Sequence, residues 1–254
     1  MTLLFDTHSH LYDEKYDEDR EAVLTECQEK LKGWINVGAD LASSIQCKDI
    51  SAKFPSSFFS SGVHPHDAKD HSMQDLEKVF ELLEHDQCIA SGEMGLDYFY
   101  DFSPRQLQQD LFKEQLKVAK EKNMPCIIHV REAFEDFYKI IDEVGYYNGV
   151  IHCFTGTLHD AKEIIDRGFY AGFGGLITFK KTQEIRDAFM VIPNDKILLE
   201  TDSPYMAPTP KRGKRNLPYY VEYINNKMAE LKEITPDEMM TITYQNAKTL
   251  FSLK

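Results

Sequence analysis

Cysteine is sparse in this chain, and its placement is uninformative as a framework. The five thiols, Cys27, Cys47, Cys88, Cys126 and Cys153, form no Cys-x-x-Cys and are odd in number. That argues against a disulfide scaffold and predicts reduced, mostly structural thiols in a cytoplasm. Long apolar runs are missing too: although 42% of the residues are hydrophobic, no uninterrupted stretch approaches the roughly 20 residues of a membrane span. Met1 leads almost at once into an apolar stretch, and Asp6 falls too early for a signal peptide, so a cytoplasmic protein without membrane contact is expected. Positive charge is in deficit, with 29 Lys and Arg against 42 Asp and Glu and a net charge of −13. Non-specific nucleic-acid binding over the whole surface is thereby disfavoured, and a polyanionic substrate would need a local positive site. There is no Walker loop, no dinucleotide-binding glycine pattern and no Ser-His-Asp order. Gly172-Phe173-Gly174-Gly175 lacks nucleotide-binding spacing and reads as close packing.

What is present is a regular alternation. Apolar runs at 3–6, 34–37, 58–63, 88–92, 126–130, 149–154, 169–174 and 197–201 are separated by charged, amphipathic segments, with clear helical periodicity at 75–83, 107–122 and 134–144. Ser103-Pro104-Arg105-Gln106 and Thr235-Pro236-Asp237-Glu238 read as helix starts, each with a hydroxyl N-cap and Pro at the first helical position. Alternating strands and helices predict a parallel sheet. Eight units in 254 residues, close to the roughly 250 of a (β/α)8 barrel, predict a single α/β TIM-barrel domain over 1–254. An open doubly wound sheet is the structural rival. The two are separated by where the polar residues fall, because barrel enzymes gather catalytic groups at the carboxyl ends of many strands.

They fall there. Asp6-Thr7-His8-Ser9-His10 ends the first run, and in a strand Asp6, His8 and His10 share a face, so two imidazoles can grip one ion while Asp6 orients a ring. Gly62-Val63-His64-Pro65-His66 ends the third, Gly92-Glu93-Met94-Gly95-Leu96-Asp97 the fourth, His129-Val130-Arg131-Glu132 the fifth, His152-Cys153-Phe154 the sixth and Glu200-Thr201-Asp202-Ser203-Pro204 the eighth. Six of the nine histidines thus stand at strand ends; His71, His85 and His159 lie in helical or loop segments and read as solvated. His and carboxylate ligands with one bridging carboxylate are what a pair of divalent ions needs to activate water. Glu93, between glycines that let the backbone come close, suits the bridge, and Asp202 can both bind a metal and accept a proton.

Together with Arg212-Gly213-Lys214-Arg215-Asn216, this ordered set resembles the TatD-type metal-dependent deoxyribonucleases of the amidohydrolase superfamily, from the first strand to Asn246-Ala247. Gly174-Gly175-Leu176 departs from a pattern that often carries Pro after the glycines. The resemblance implies two divalent ions (zinc, manganese or magnesium), one held by His8, His10, Glu93 and Asp202, the other by Glu93, His129 and His152. It also implies a DNA substrate, with Asp202 and Glu93 catalytic. Lys211, Arg212, Lys214 and Arg215 after the eighth strand, and Lys180-Lys181 after the seventh, are expected to hold backbone phosphates, as loops there often do. Arg131, His64 and His66 complete the expected substrate contacts, and Tyr98, Phe99 and Tyr100 are candidates to stack on bases of a single strand. The competing reading is a small-molecule amidohydrolase or another phosphoesterase. Many amidohydrolases bridge their metals with a modified Lys where this chain has Glu93.

Overall fold

The computed structural model describes residues 2–253, so the terminal positions 1 and 254 of the expected domain lie outside the described residues. Eight strands, β1 (Phe5–Ser9), β2 (Gly33–Val37), β3 (Ser57–Ser61), β4 (Cys88–Asp97), β5 (Cys126–Arg131), β6 (Gly149–Ile151), β7 (Tyr170–Phe173) and β8 (Ile197–Leu199), form one sheet in sequence order. Each pairs in parallel with the next. The helices α1 (Arg20–Lys30), α2 (Leu41–Ser51), α3 (Met73–Leu82), α4 (Arg105–Glu121), α5 (Phe134–Val144), α6 (Leu158–Asp166), α7 (Gln183–Val191), α8 (Val221–Lys232) and α9 (Pro236–Leu250) fill the connections and the C-terminus. The ring closes where the chain after β8 meets β1: Asp202 N–H donates to the His8 carbonyl (2.9 Å) and His10 N–H to the Ser203 carbonyl (2.7 Å). This is the expected (β/α)8 barrel.

Strand parity divides the core. Phe5, Ile35, Val37, Ala90, Ile127, Val150 and Leu198 point into the barrel, where Tyr244, Ala247 and Leu250 of α9 and the following Phe251 close its lower end. The alternate residues, such as Trp34, Ile128, Ile151 and Leu199, pack outward beneath the helices. On β5 the same alternation puts His129 and Arg131 on the inward side of Ile127, at the upper rim.

Two local expectations change. Thr235 caps α9, accepting from Glu238 N–H while the Glu238 carboxylate accepts from Thr235 N–H. Ser103 does not cap α4; its hydroxyl donates to the His66 carbonyl (2.6 Å) and accepts from Lys69 N–H, tying two rim loops together. Asp6 orients no imidazole either. Fully buried, its carboxylate accepts from the backbone N–H of His8 and from the N–H and hydroxyl of Thr201, standing in for ladder bonds at the closing seam.

Candidate metal centre and cleft

The upper rim is built by turns that few side chains tolerate. Glu132 (φ 53°), Cys153 (φ 43°) and Asp202 (φ 54°) take left-handed backbone just past β5, β6 and β8, folding the chain over the barrel mouth. Such residues cost on the order of 1–3 kcal/mol each and cluster at functional sites. Strand β4 runs five residues further than its apolar stretch, through an irregular segment between Ser91 and Met94. Gly92 (φ 138°) and Gly95 (φ 139°) make this possible: a Cβ on Gly92 would lie 2.3 Å from the Ile127 carbonyl oxygen, and one on Gly95 2.0 Å from that of His129. Between them Glu93 is carried into the middle of the mouth.

Glu93 is buried, and its two oxygens face different partners. Oε2 lies 3.4 Å from His8 Nε2 and 3.8 Å from His10 Nε2. Asp202 Oδ1 joins that group, 3.3 Å from His10 Nε2 and 3.8 Å from His8 Nε2. Oε1 lies 2.8 Å from His152 Nε2, 3.2 Å from His129 Nδ1 and 3.4 Å from His64 Nε2. Divalent ions at about 2.0–2.1 Å from tetrahedral N and O donors require donor–donor edges near 3.4 Å; the donors are spaced accordingly and fall into overlapping groups, among them His8–His10–Asp202 and His8–Glu93–His152, close enough together to hold an ion.

The tautomers agree with this reading. His10 Nδ1–H donates to the Val37 carbonyl (2.9 Å), leaving a lone pair on Nε2, which lies 3.0 Å from His8 Nε2. His129 Nε2–H donates to Asp97 (3.0 Å), leaving a lone pair on Nδ1, which lies 3.1 Å from His152 Nε2. Imidazole nitrogens brought so close want a proton or a cation between them. His64 differs. Its Nδ1 accepts from His66 N–H, so the neutral ring carries its proton on Nε2, which faces Glu93 Oε1 at 3.4 Å with a proton rather than a lone pair. The residues present therefore fit a pair of divalent cations.

Charge follows the same pattern. Burial would raise the Glu93 pKa, but the surrounding imidazoles of His152, His64 and His8 hold it well below the usual carboxylate range. Burial opposes charge on His152, yet the carboxylates of Glu93 and Glu200 push its pKa up. His64 is pulled down to about 4, chiefly by burial. Asp202 would be raised by burial, but contact with His10 and His8 keeps it low.

The cluster forms the floor of a cleft with two lobes. One, about 790 Å³, is walled by His10, His64, His66, Tyr100, Phe102 and Tyr205. The other, about 660 Å³, is walled by Phe99, Glu132, Phe134, Thr155, Thr157 and Leu176. His129, Arg131, His152 and Asp202 line both. The Arg131 guanidinium lies over the rings of Phe99 (3.9 Å) and Tyr100 (4.7 Å), and among the described residues no carboxylate pairs with it.

The sequence model of the TatD related DNase family matches residues 5–252. The chain belongs to this TatD family. The "Uncharacterized metal-dependent hydrolase YabD" of Bacillus subtilis is 42% identical over 254 residues, spanning 99% of this chain and 100% of that protein. The "3'-5' ssDNA/RNA exonuclease TatD" of Salmonella typhimurium is 31% identical over 258 residues, covering 98% of this chain and 99% of its own. Among solved structures, YJJV, a TatD homolog from Escherichia coli, superposes with a TM-score of 0.93 at 29% identity, over 100% of this chain and 99% of that one.

In this TatD-family chain the structure brings together His8, His10, Glu93, His129, His152 and Asp202, with His64, His66 and Arg131 around them. The basic stretch after β8 is not among the residues that wall the two lobes. Arg215 spends its fork on Asp19 (2.7 and 2.6 Å) and lies over Tyr16, Arg212 lies 4.0 Å over the Phe179 ring, and Lys211 lines a different surface cavity beside Tyr219, Tyr220 and Tyr223. Lys214, Lys180 and Lys181 are exposed. Tyr98 turns inward, its hydroxyl donating to Asp136 (2.9 Å) and accepting from Gln109 (2.7 Å); Phe102, not considered from the sequence, takes a place on the cleft wall.

Two further carboxylates complete the site. Asp97, fully buried, accepts from His129 Nε2–H (3.0 Å), His66 Nε2–H (2.9 Å) and the backbone N–H groups of Phe99 and Tyr100 (3.0 and 2.9 Å). Its place at the end of the Gly-Glu-x-Gly-x-Asp run was the available signal. Glu200 accepts from Cys153 N–H (2.5 Å) and stands 3.6 Å from His152 Nδ1. A Cβ on Gly172 would fall 2.2 Å from Glu200 Oε2, so that glycine makes the room expected of close packing.

Proposed function

We propose that the protein is a divalent-metal-dependent nuclease that hydrolyses P–O bonds of nucleic-acid phosphodiesters. The observation that carries this reading is Glu93, whose two oxygens face two separate donor groups in a cleft also lined by the cation of Arg131. His8, His10, Glu93 and Asp202 would hold one ion, and Glu93, His129 and His152 the other. Bound ions of this kind neutralise charge on the reacting phosphate and lower the pKa of water toward about 7. The imidazole-rich set suits zinc better than magnesium, with the carboxylates of Glu93 and Asp202 also acceptable to manganese.

The protein's own groups do the rest. Asp202 turns Oδ1 to His8 and His10, and among the described residues nothing donates to Oδ2, which is free to take the proton of the attacking water. Arg131 presents a planar fork of donors suited to non-bridging phosphate oxygens. His64 Nε2 faces Glu93 Oε1 at 3.4 Å and flanks that carboxylate. The Salmonella relative's name, an exonuclease of single-stranded DNA and RNA, supports the substrate class.

The test uses protein reconstituted with Zn²⁺, Mn²⁺ or Mg²⁺. Its substrates are end-labelled single- and double-stranded DNA and single-stranded RNA oligonucleotides, beside a panel of small amides and esters. Metal-dependent shortening of oligonucleotides is expected. Turnover of an amide without cleavage of any phosphodiester would overturn the reading.

A further inference from the structure

The loop between β4 and α4 leaves three rings in solvent, Phe99 (50% exposed), Tyr100 (48%) and Phe102 (55%). Such exposure of neighbouring large apolar groups needs a reason. Looseness is not the reason, because the loop is pinned at every turn. Asp97 accepts from the N–H groups of Phe99 and Tyr100, Gln108 donates to the carbonyls of Asp97 and Ser103, and the Ser103 hydroxyl reaches the His66 carbonyl. The rings are held out rather than left out.

Their arrangement is specific. Tyr100 and Phe102 stack with centroids 5.2 Å apart and planes 22° from parallel, and the His66 ring meets both edge-on, at 5.5 and 4.8 Å. Both rings wall the larger lobe, whose floor is the metal-ligand cluster and whose cation is Arg131. Tyr100 also lies under the Arg131 guanidinium (4.7 Å). A cation suited to phosphate and an aromatic surface therefore stand together on one wall of the cleft.

Resting on the nuclease reading, we propose that Tyr100 and Phe102 form a stacking platform for an unpaired nucleobase next to the phosphodiester under attack, and so select single-stranded nucleic acid. A base inside a duplex has both faces covered by its neighbours and cannot use the platform without unstacking. Stacking tolerates any base, since every base offers a π-face, so the platform confers strand selectivity without sequence preference.

The experiment compares two single-stranded substrates of equal length and phosphate count on Mn²⁺-reconstituted enzyme: an oligothymidylate and a chain of abasic tetrahydrofuran units. The parent should favour the base-carrying strand in kcat/KM by about 5- to 150-fold, the range that base–aromatic stacking supplies, expressed mainly in KM. Phe102→Ala should erase most of that preference by slowing the base-carrying strand far more than the abasic one, and Phe102→Trp should restore it. Equal use of both strands by the parent, or an equal loss on both in Phe102→Ala, overturns the platform while leaving the nuclease reading intact. Cleavage of neither strand, with turnover of a small amide, overturns the nuclease reading and the platform with it.

Discussion

Replacing Asp97 with Asn probes whether this carboxylate sets the proton on a metal-binding imidazole. Asp97 Oδ2 receives N–H donors from both His129 and His66, and Oδ1 receives those of Phe99 and Tyr100. An Asn amide offers one oxygen and one NH₂, so in either orientation a donor faces two donors. If the NH₂ meets the histidines, His129 must accept on Nε2 and carry its proton on Nδ1, the atom 3.2 Å from Glu93 Oε1 and 3.1 Å from His152 Nε2. The lone pair needed for an ion is then lost. Removing a carboxylate behind a ligating histidine typically weakens metal binding 10- to 100-fold, about 1.4–2.7 kcal/mol. Competition titration against a chromophoric chelator should show one of two sites weakened by that factor. Calorimetry of the metal-free variant should show destabilisation of roughly 1.5–3 kcal/mol for each charge-assisted bond lost. Burial would raise the Asp97 pKa, but the bonds from His129 and His66 hold it far below the usual range. A depressed carboxylate contributes fully above its ordinary pKa. Its partner His129, however, has a pKa raised against burial, in part through Asp97, and that contribution is present below about pH 6.5 and lost as pH rises. The deficit should therefore be larger at pH 5 than at pH 8. Two sites of parental affinity in Asp97→Asn would refute the argument.

Other expectations follow from the same geometry. Glu93→Ala should reduce occupancy of both ions by elemental analysis, and full occupancy would remove Glu93 as the bridge. Asp202→Asn should keep the barrel by circular dichroism and lose roughly 10²–10⁴-fold in turnover, the scale of a general base; near-parental turnover at saturating metal excludes that role. Gly95→Ala forces a methyl to 2.0 Å from the His129 carbonyl oxygen at φ 139°, so the denaturation midpoint should fall by the equivalent of roughly 3 kcal/mol or more. His64, with its pKa lowered to about 4 by burial, is favoured in its neutral form. It should therefore add stability above pH 6.5 that is lost as pH falls toward 4, and its imidazole resonances in metal-free protein should not titrate near pH 6.5.

The parts of this molecule that were legible in sequence are those governed by a short period. The barrel was readable because apolar runs alternate with helical segments, those from α3 to α7 clearly amphipathic. His129, Arg131 and His152 were readable because alternation along β5 and β6 fixes which side they face. The extension of β4 was not, since Gly92 and Gly95 interrupt its apolar pattern at the points where the backbone approaches β5. Loops hide more. Residues 203–217 have no period from which to tell where Lys211, Arg212 or Arg215 face, and the partner of Arg215 is Asp19, 196 positions away. Ser103 carries the local signature of an N-cap but finds a better acceptor in the His66 carbonyl across the rim. Asp97 was in view as part of a motif, yet its two imidazole donors, His66 and His129, come to it only when three strands are side by side.

The seam between β1 and β8 has a thermodynamic consequence. His8 and His10 stand at the end of the first strand and Asp202 just past the last, and their donor atoms come within 3.3–3.8 Å only once the ring has shut. An unfolded chain has no such pocket, so an ion seated there binds the closed ring alone and acts as its clasp. By mass action, free metal at 100 times its dissociation constant would add about 2.7 kcal/mol to the closed state, and at 1,000 times about 4.1. A chelator should therefore do more than silence the enzyme. It should loosen the joint between the first and eighth strands, and hydrogen exchange at the amides of His10 and Asp202 would register the opening before the rest of the barrel gives way.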